Sequence, residues 1–221
     1  KIGSGEVSNL ALVRHIASFG KPIIMSTGMH SIDTIRPSVQ VLIDSGVEFA
    51  LLECTNLYPS PASNVSLSGI TELQKAFDKA NVGFSDHSIG PYMALASVAL
   101  GACIIERHFT DTRYRKGPDI ICSMDPAELR LLKDRSHEIF TALHNKRGRT
   151  AEEDEVYKFA RSSVVADVEI PKNHVIRESD IWARRPGSGE ISGSEFDLVV
   201  GKKTNKLITR NTQISWEDLN E

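Results

Sequence analysis

Two stretches decide the fold class: Val82-Gly-Phe-Ser-Asp-His-Ser88 and, beyond an alanine-rich segment, Cys103-Ile-Ile-Glu-Arg-His-Phe-Thr110. Each is a short, mostly apolar run ending in polar residues, the texture of a strand buried on both faces of a parallel sheet. Between them Pro91 suits a first helical turn, and the residues up to Leu100 read as a largely buried helix. Working outward toward the start of the chain, the same unit recurs, with strands expected at Lys1–Gly5, Pro22–Thr27 and Phe49–Asn56. Ser8 is placed to cap a helix carrying Leu10, Val13, Ile16 and Ala17, with Gly20 just past its end. Ser31 precedes a second stripe (Ile35, Val39, Leu42, Ile43) stopped by Gly46, and Ile70, Leu73 and Phe77 make a third. Asp125-Pro-Ala-Glu128 resembles a capping box that opens a helix with Leu129, Leu132, Ile139 and Leu143. Alternating strands and helices imply an α/β domain with a parallel sheet and right-handed crossovers. A doubly wound sheet and part of a (β/α)8 barrel both fit this pattern.

The texture changes after residue 145. Residues 146–160 are highly charged and include a short helix near Val156–Phe159, a linker between residues 1–145 and 161–221. The last part carries short β-branched segments (Ser163–Val165, Val175–Ile176, Leu198–Val199, Leu207–Ile208) between Pro, Gly and Asn turns, which predicts a small β-rich module. Ser-Gly repeats around Gly187–Gly193 mark an exposed loop.

Composition narrows the functional classes. With 221 residues, 26 Lys and Arg against 29 Asp and Glu, and a net charge of −3, no nucleic acid is expected as partner. Apolar residues at 40% and charged ones at 25% argue against disorder. The 3 cysteines cannot form a disulfide scaffold, which points to a reducing, cytoplasmic setting. The longest apolar run, Met93 to Ile105, is too short to span a bilayer at about 20 residues, so no membrane partner is expected. The chain opens at Lys1 without an initiator Met or secretory signal and reads as a fragment of something longer.

Side chains alternate across a strand, so parity tells which residues share a face. Val82 and Phe84 take the side that helices cover, whereas Gly83, Ser85 and His87 take the other. His108 lies with Ile104 and Glu106, Asn56 with Leu52 and Cys54, Ser26 with Ile24, and Lys1 with Gly3 and Gly5. His87 and His108 hold equivalent positions on consecutive strands. Two imidazoles so placed can share a divalent cation; alternatively each bonds a local carboxylate or carbonyl, with Asp86 and Glu106 the nearest in sequence. Lys1, Ser26, Asn56 and Ser85 combine one ammonium with hydroxyl and amide donors, a set that suits an anion such as phosphate, although strand-end polarity explains each singly. Tyr58, Asp119 and Glu6 lie in loops beyond strand ends, where aromatic and carboxylate groups could meet sugar hydroxyls. Cys54 and Cys103 read as small core residues. Arg184-Arg185-Pro186-Gly187 is a basic turn whose default reading is a solvated pair.

Taken together, Lys1-Ile-Gly-Ser-Gly-Glu6, Phe19-Gly-Lys-Pro-Ile-Ile-Met-Ser-Thr-Gly-Met29, Cys54-Thr-Asn-Leu-Tyr-Pro59, Gly83-Phe-Ser-Asp-His-Ser88, Glu106-Arg-His-Phe109 and Gly117-Pro-Asp119 resemble the sialic acid (N-acetylneuraminate) synthases and related nonulosonic acid synthases. Arg161-Ser-Ser-Val-Val165 and Arg184-Arg-Pro-Gly-Ser-Gly189 look like that family's antifreeze-like (SAF) module. The resemblance implies the C-terminal part of a (β/α)8 TIM barrel, strands 4–8, followed by the SAF domain. It implies a cytoplasmic transferase that condenses phosphoenolpyruvate with an N-acetylhexosamine, with Mn2+ or Mg2+ held by His87 and His108. Lys1, Ser26, Asn56 and Ser85 then match positions for phosphoenolpyruvate, and Glu6, Tyr58 and Asp119 match positions facing the sugar. Arg185 matches an arginine that one subunit of a domain-swapped homodimer places over its partner's site. The family's early glutamate and a further lysine lie before the matched stretch, and Ile120 stands where many relatives have a histidine, which leaves sugar preference open. The fragment alone is expected to be inactive. Other readings are a different phosphoenolpyruvate aldol-type synthase (deoxy-octulosonate or heptulosonate phosphate) and a non-catalytic carbohydrate-binding module.

Overall fold

In a computed structural model, which describes residues 1–220, the chain separates into two compact units, Lys1–Asn145 and Lys146–Glu221. The first is built on a parallel sheet of β1 (Ile23–Ser26), β2 (Phe49–Cys54), β3 (Asn81–Asp86) and β4 (Ile105–Arg107), in the order β1-β2-β3-β4. Ile2 adds a parallel bridge to Met25 on the free side of β1, with Ile2 N–H donating to Ile24 O at 2.8 Å. Neighbours in sequence are thus neighbours in space throughout. A doubly wound sheet reverses its strand order at a switch point; here none occurs, and the sheet curls as a half-barrel.

The crossovers are α1 (Leu10–Ala17), α2 (Ile32–Asp44), α3 (Ser68–Ala76) and α4 (Tyr92–Ala99), with α5 (Pro126–His144) after the last strand. Their buried faces cover one side of the sheet: Val13, Ile35, Val39, Leu42, Ile70 and Leu73 pack with Ile23, Met25, Phe49, Leu51, Val82 and Phe84. The parity expected for Val82 and Phe84 is therefore the observed one. On the opposite, interior side the layers meet closely at Gly83, where a Cβ would lie 2.5 Å from both Ile104 O and a Leu52 methyl.

Several local expectations need correction. Lys1–Gly5 is not a strand: only Ile2 bridges, and Ser4–Glu6 turns as a 3-10 helix into α1. The cap of α1 is Asn9 rather than Ser8, its side chain accepting from Leu12 N–H. Ser31 and Asp125 do cap α2 and α5, accepting from Thr34 and Glu128 N–H. Of the expected α5 stripe, Leu132 is buried whereas Leu129 and Leu143 are exposed.

The second unit has its own core of Val164, Ala166, Ile170, Ile176, Ile181, Ile191, Val199, Ile208 and Ile214. α6 (Asp154–Ala160) leads into the antiparallel pair β5 (Ser163–Ala166) and β6 (Ile181–Arg184); β7 (Lys203–Thr204) pairs with β8 (Leu219–Asn220). Leu198–Val199 belongs to a short helix, α7 (Phe196–Val199), because Ser192 and Glu195 cap the turn before it. Val175 and Ile208 contribute only isolated bridges, to Lys203 and Ile170.

Candidate active site

Parallel register brings the polar residues together at the C-terminal end of the sheet, where such sheets carry their sites. Ser85 is paired with Glu106 across β3 and β4. The Ser85 hydroxyl donates to Glu106 Oε1 at 2.9 Å, the Lys1 ammonium sits 3.2 Å from the same oxygen, and Lys1 Nζ donates to Ser26 Oγ at 2.9 Å. Lys1, Ser26 and Ser85 therefore converge as the sequence predicts, but around a carboxylate. Parity with His108 points to Glu106 as a candidate partner of a histidine, whereas the structure gives its carboxylate to Lys1 and Ser85.

Two residues further along the same strands, His87 and His108 stand with ring centroids 5.3 Å apart and planes at 77°. His87 Nδ1 lies 2.8 Å from Thr55 O. A carbonyl can only accept, so Nδ1 carries the proton and Nε2 keeps its lone pair. Burial holds the His87 pKa below its ordinary value, with the Thr55 bond opposing and the His108 charge reinforcing, so the ring is neutral at neutral pH. The alternative reading, a local carboxylate or carbonyl for each histidine, holds for His87 through the Thr55 carbonyl, but neither Asp86 nor Glu106 is the partner: Asp86 Oδ1 takes Ser88 N–H, and Glu106 serves Lys1 and Ser85. His108 Nδ1 is 3.9 Å from Asp119 Oδ2, too far for a hydrogen bond. Two imidazoles at this spacing, with the far nitrogen of His87 already oriented by Thr55 O, fit a divalent cation. Among the described residues no third His, Cys, Asp or Glu completes a cluster, so further ligands would be substrate oxygens or water.

Tyr58 closes over this pair, its ring centroid 4.1 Å from His87 and 5.5 Å from His108. The loop carrying it is tied to the next by Ser60 N–H donating to His87 O at 3.0 Å. Asn56 lies against Gly28, where a Cβ would be 2.3 Å from Asn56 Oδ1. The same oxygen accepts from Cys54 Sγ at 3.1 Å, and Cys54 Sγ is 3.9 Å from His87 Nδ1. Cys54 is thus buried as expected yet belongs to the wall of the site, and its burial pushes the thiol pKa up, whereas Cys103, also expected in the core, is exposed. Glu6 accepts from Asn9 Nδ2 at 2.9 Å at the start of α1, and Arg185 lies in the second unit, just after β6.

A family model described as the NeuB family matches residues 1–148, and one described as the SAF domain matches residues 161–220. The chain belongs to the NeuB family. This NeuB-family chain is 37% identical over 211 residues to N,N'-diacetyllegionaminic acid synthase of Campylobacter jejuni, covering 93% of the chain and 62% of that protein. It is 32% identical to the enzyme of the same name from Legionella pneumophila, covering 99% of the chain and 63% of that protein. Among solved structures it resembles the N-acetylneuraminic acid synthetase of Leptospira borgpetersenii, with 34% identity and a TM-score of 0.65 over 70% of this chain and 54% of that one. The chain spans just under two thirds of the length of these curated relatives.

Proposed function

We propose that the whole protein condenses phosphoenolpyruvate with the open-chain aldehyde of an N-acetylhexosamine, giving a sialic acid-type nonulosonate and phosphate. The observation that carries this reading is the adjacency of two layers: a lysine–hydroxyl cradle at Lys1, Ser26 and Ser85, and one step above it two facing imidazoles under an aromatic ring. Family membership and the synthase names of the relatives support it.

In this reading Lys1, Ser26 and Ser85 bind the anionic groups of phosphoenolpyruvate, with Asn56 at the edge, and so fix its C3 toward the aldehyde carbon. C3 attacks that carbon, a C–C bond forms and the aldehyde oxygen takes a proton. Water then adds at C2 and loses its proton to Glu106, whose partner Lys1 is now shared with the substrate; the tetrahedral centre expels phosphate and becomes the keto group. His87 and His108 would hold Mn2+ or Mg2+, which when bound supplies Lewis-acid polarisation of an oxygen. Tyr58, Asp119 and Glu6 would face the sugar. The same reading makes the Ile2 segment and β1–β4 the strands 4–8 of a (β/α)8 barrel, and makes Arg185 a residue offered to the other subunit of a domain-swapped homodimer.

The test is phosphate release by the full-length protein from phosphoenolpyruvate with N-acetylmannosamine, its 6-phosphate and 2,4-diacetamido-trideoxyhexoses, with and without Mn2+. Metal-dependent release with one of these is the expected result. Release only with pentose or tetrose phosphates would mean a heptulosonate- or octulosonate-type synthase, and glycan binding without any release a non-catalytic module.

A further inference from the structure

We propose that the buried Asp86–Arg107 pair is a positioning device that holds His87 and His108 in register from behind the sheet, an assignment that rests on the two-histidine reading above. Asp86 and Arg107 each immediately precede one of the histidines, and they are direct partners across β3 and β4. Alternation sends the imidazoles to the interior and this pair to the opposite face, where the side chains are 1% and 2% exposed. Arg107 spreads over three backbone carbonyls: Nη1 donates to Gly90 O, Nη2 donates to Ser88 O at 2.6 Å, and Nη2 reaches Cys122 O at 3.5 Å. Asp86 Oδ1 accepts Ser88 N–H at 2.8 Å. One guanidinium thus fastens the chain leaving His87 to the strand carrying His108 and to the turn that follows Asp119.

Stability alone is a poor explanation of this arrangement. The closest approach of the two charges is 3.5 Å, and Asp86 Oδ2, Arg107 Nε and the Ser88 hydroxyl make no hydrogen bond. A buried ion pair so incompletely bonded is commonly no better than an apolar pair of similar volume. What it does supply is directional: a planar fork with fixed donors sets where two loops start. Groups that orient a ligating histidine are worth about 10–100-fold in metal affinity.

The experiment compares the full-length protein with Asp86→Leu/Arg107→Met and with Arg107→Lys. The first readout needs no turnover: long-range 1H–15N spectra of the histidine rings, together with the unfolding midpoint. Wild type should show His87 protonated at Nδ1 alone. The double variant leaves the Gly90 and Ser88 carbonyls and the Ser88 N–H without these partners, so its midpoint should fall, while its His87 signals, read where it is still folded, move toward mixed tautomers. Mn2+ affinity should weaken about 10–100-fold, and kcat should fall while KM for phosphoenolpyruvate stays within about threefold, because Lys1 and Ser26 of the cradle lie on other segments and Ser85 lies one residue earlier on the opposite face from Asp86. Arg107→Lys, which keeps the charge without the fork, should lie between. Native imidazole signals in a folded double variant would overturn the proposal, as would losses that merely track a lowered midpoint. Wild type that neither binds Mn2+ nor releases phosphate would defeat the reaction reading instead, and the tautomer comparison would still decide whether the pair orients His87.

Discussion

At the scale of single residues, Glu106 is where charge and chemistry meet. It takes the Ser85 hydroxyl and the Lys1 ammonium on one oxygen, so an anion entering the cradle competes with it for Lys1. Glu106→Gln keeps the shape and the Ser85 bond but cannot accept a proton. We expect kcat to fall by about 100-fold or more with little change in the unfolding midpoint, read from phosphate release and thermal unfolding. His87→Ala and His108→Ala should abolish metal-dependent turnover and leave the fold intact. Glu53, on the other face of β2, gives a pH signature. Burial, reinforced by Glu72 and opposed by the Cys54 N–H, raises its pKa from 4.5 to about 7. The unfolded chain loses this proton near 4.5 and the folded one near 7, so between those values the unfolded form binds fewer protons and stability falls as pH rises. Glu53→Gln should flatten that decline and stabilise the protein at pH 8 by about 1–3 kcal/mol, as urea midpoints at pH 5 and pH 8 would reveal. Ser26, Ser85 and the two histidines were legible from parity, whereas Lys1 reaches the site from a segment that pairs only through Ile2. The roles of Glu106, Cys54 and Arg107 were not, since a strand pattern tells which face a side chain takes but not which neighbour wins it.

Among the elements, β3 sets the tolerance of the interior. Gly83 lies between Leu52 and the backbone at Ile104, and an added methyl would meet both at 2.5 Å. A backbone oxygen cannot swing aside as a flexible side chain can, so Gly83→Ala should cost about 1–3 kcal/mol and displace β3 from β4, lowering turnover along with the denaturation midpoint. Strand and helix periods showed most elements of the first unit, because apolar stripes and caps such as Ser31 and Asp125 are local signals. They failed at Lys1–Gly5, where the chain pairs through Ile2 alone and then turns at Ser4 into a 3-10 helix. They failed again in the second unit, where β7 and β8 are 2 residues each and pairing across long loops, rather than alternation, makes the structure.

For the molecule as a whole, the two units differ in what they need. Lys146–Glu221 encloses its own apolar core, so residues 146–221 expressed alone should unfold cooperatively, with dispersed amide signals and a single thermal transition; a featureless melt would contradict it. The first unit leaves β4 at the end of its sheet, with no further strand beyond it among the described residues. The sequence could not choose between an open doubly wound sheet and a curled one, because both have the same local pattern; only the unbroken strand order decides. The crowding at Gly83 has one more consequence. In the proposed barrel a layer this tight would act as a floor and leave one mouth for traffic, so a molecule resting against Lys1 and Ser26 should arrive before one lying beneath Tyr58. Initial-rate kinetics should then follow a compulsory sequence, with the smaller reactant leading.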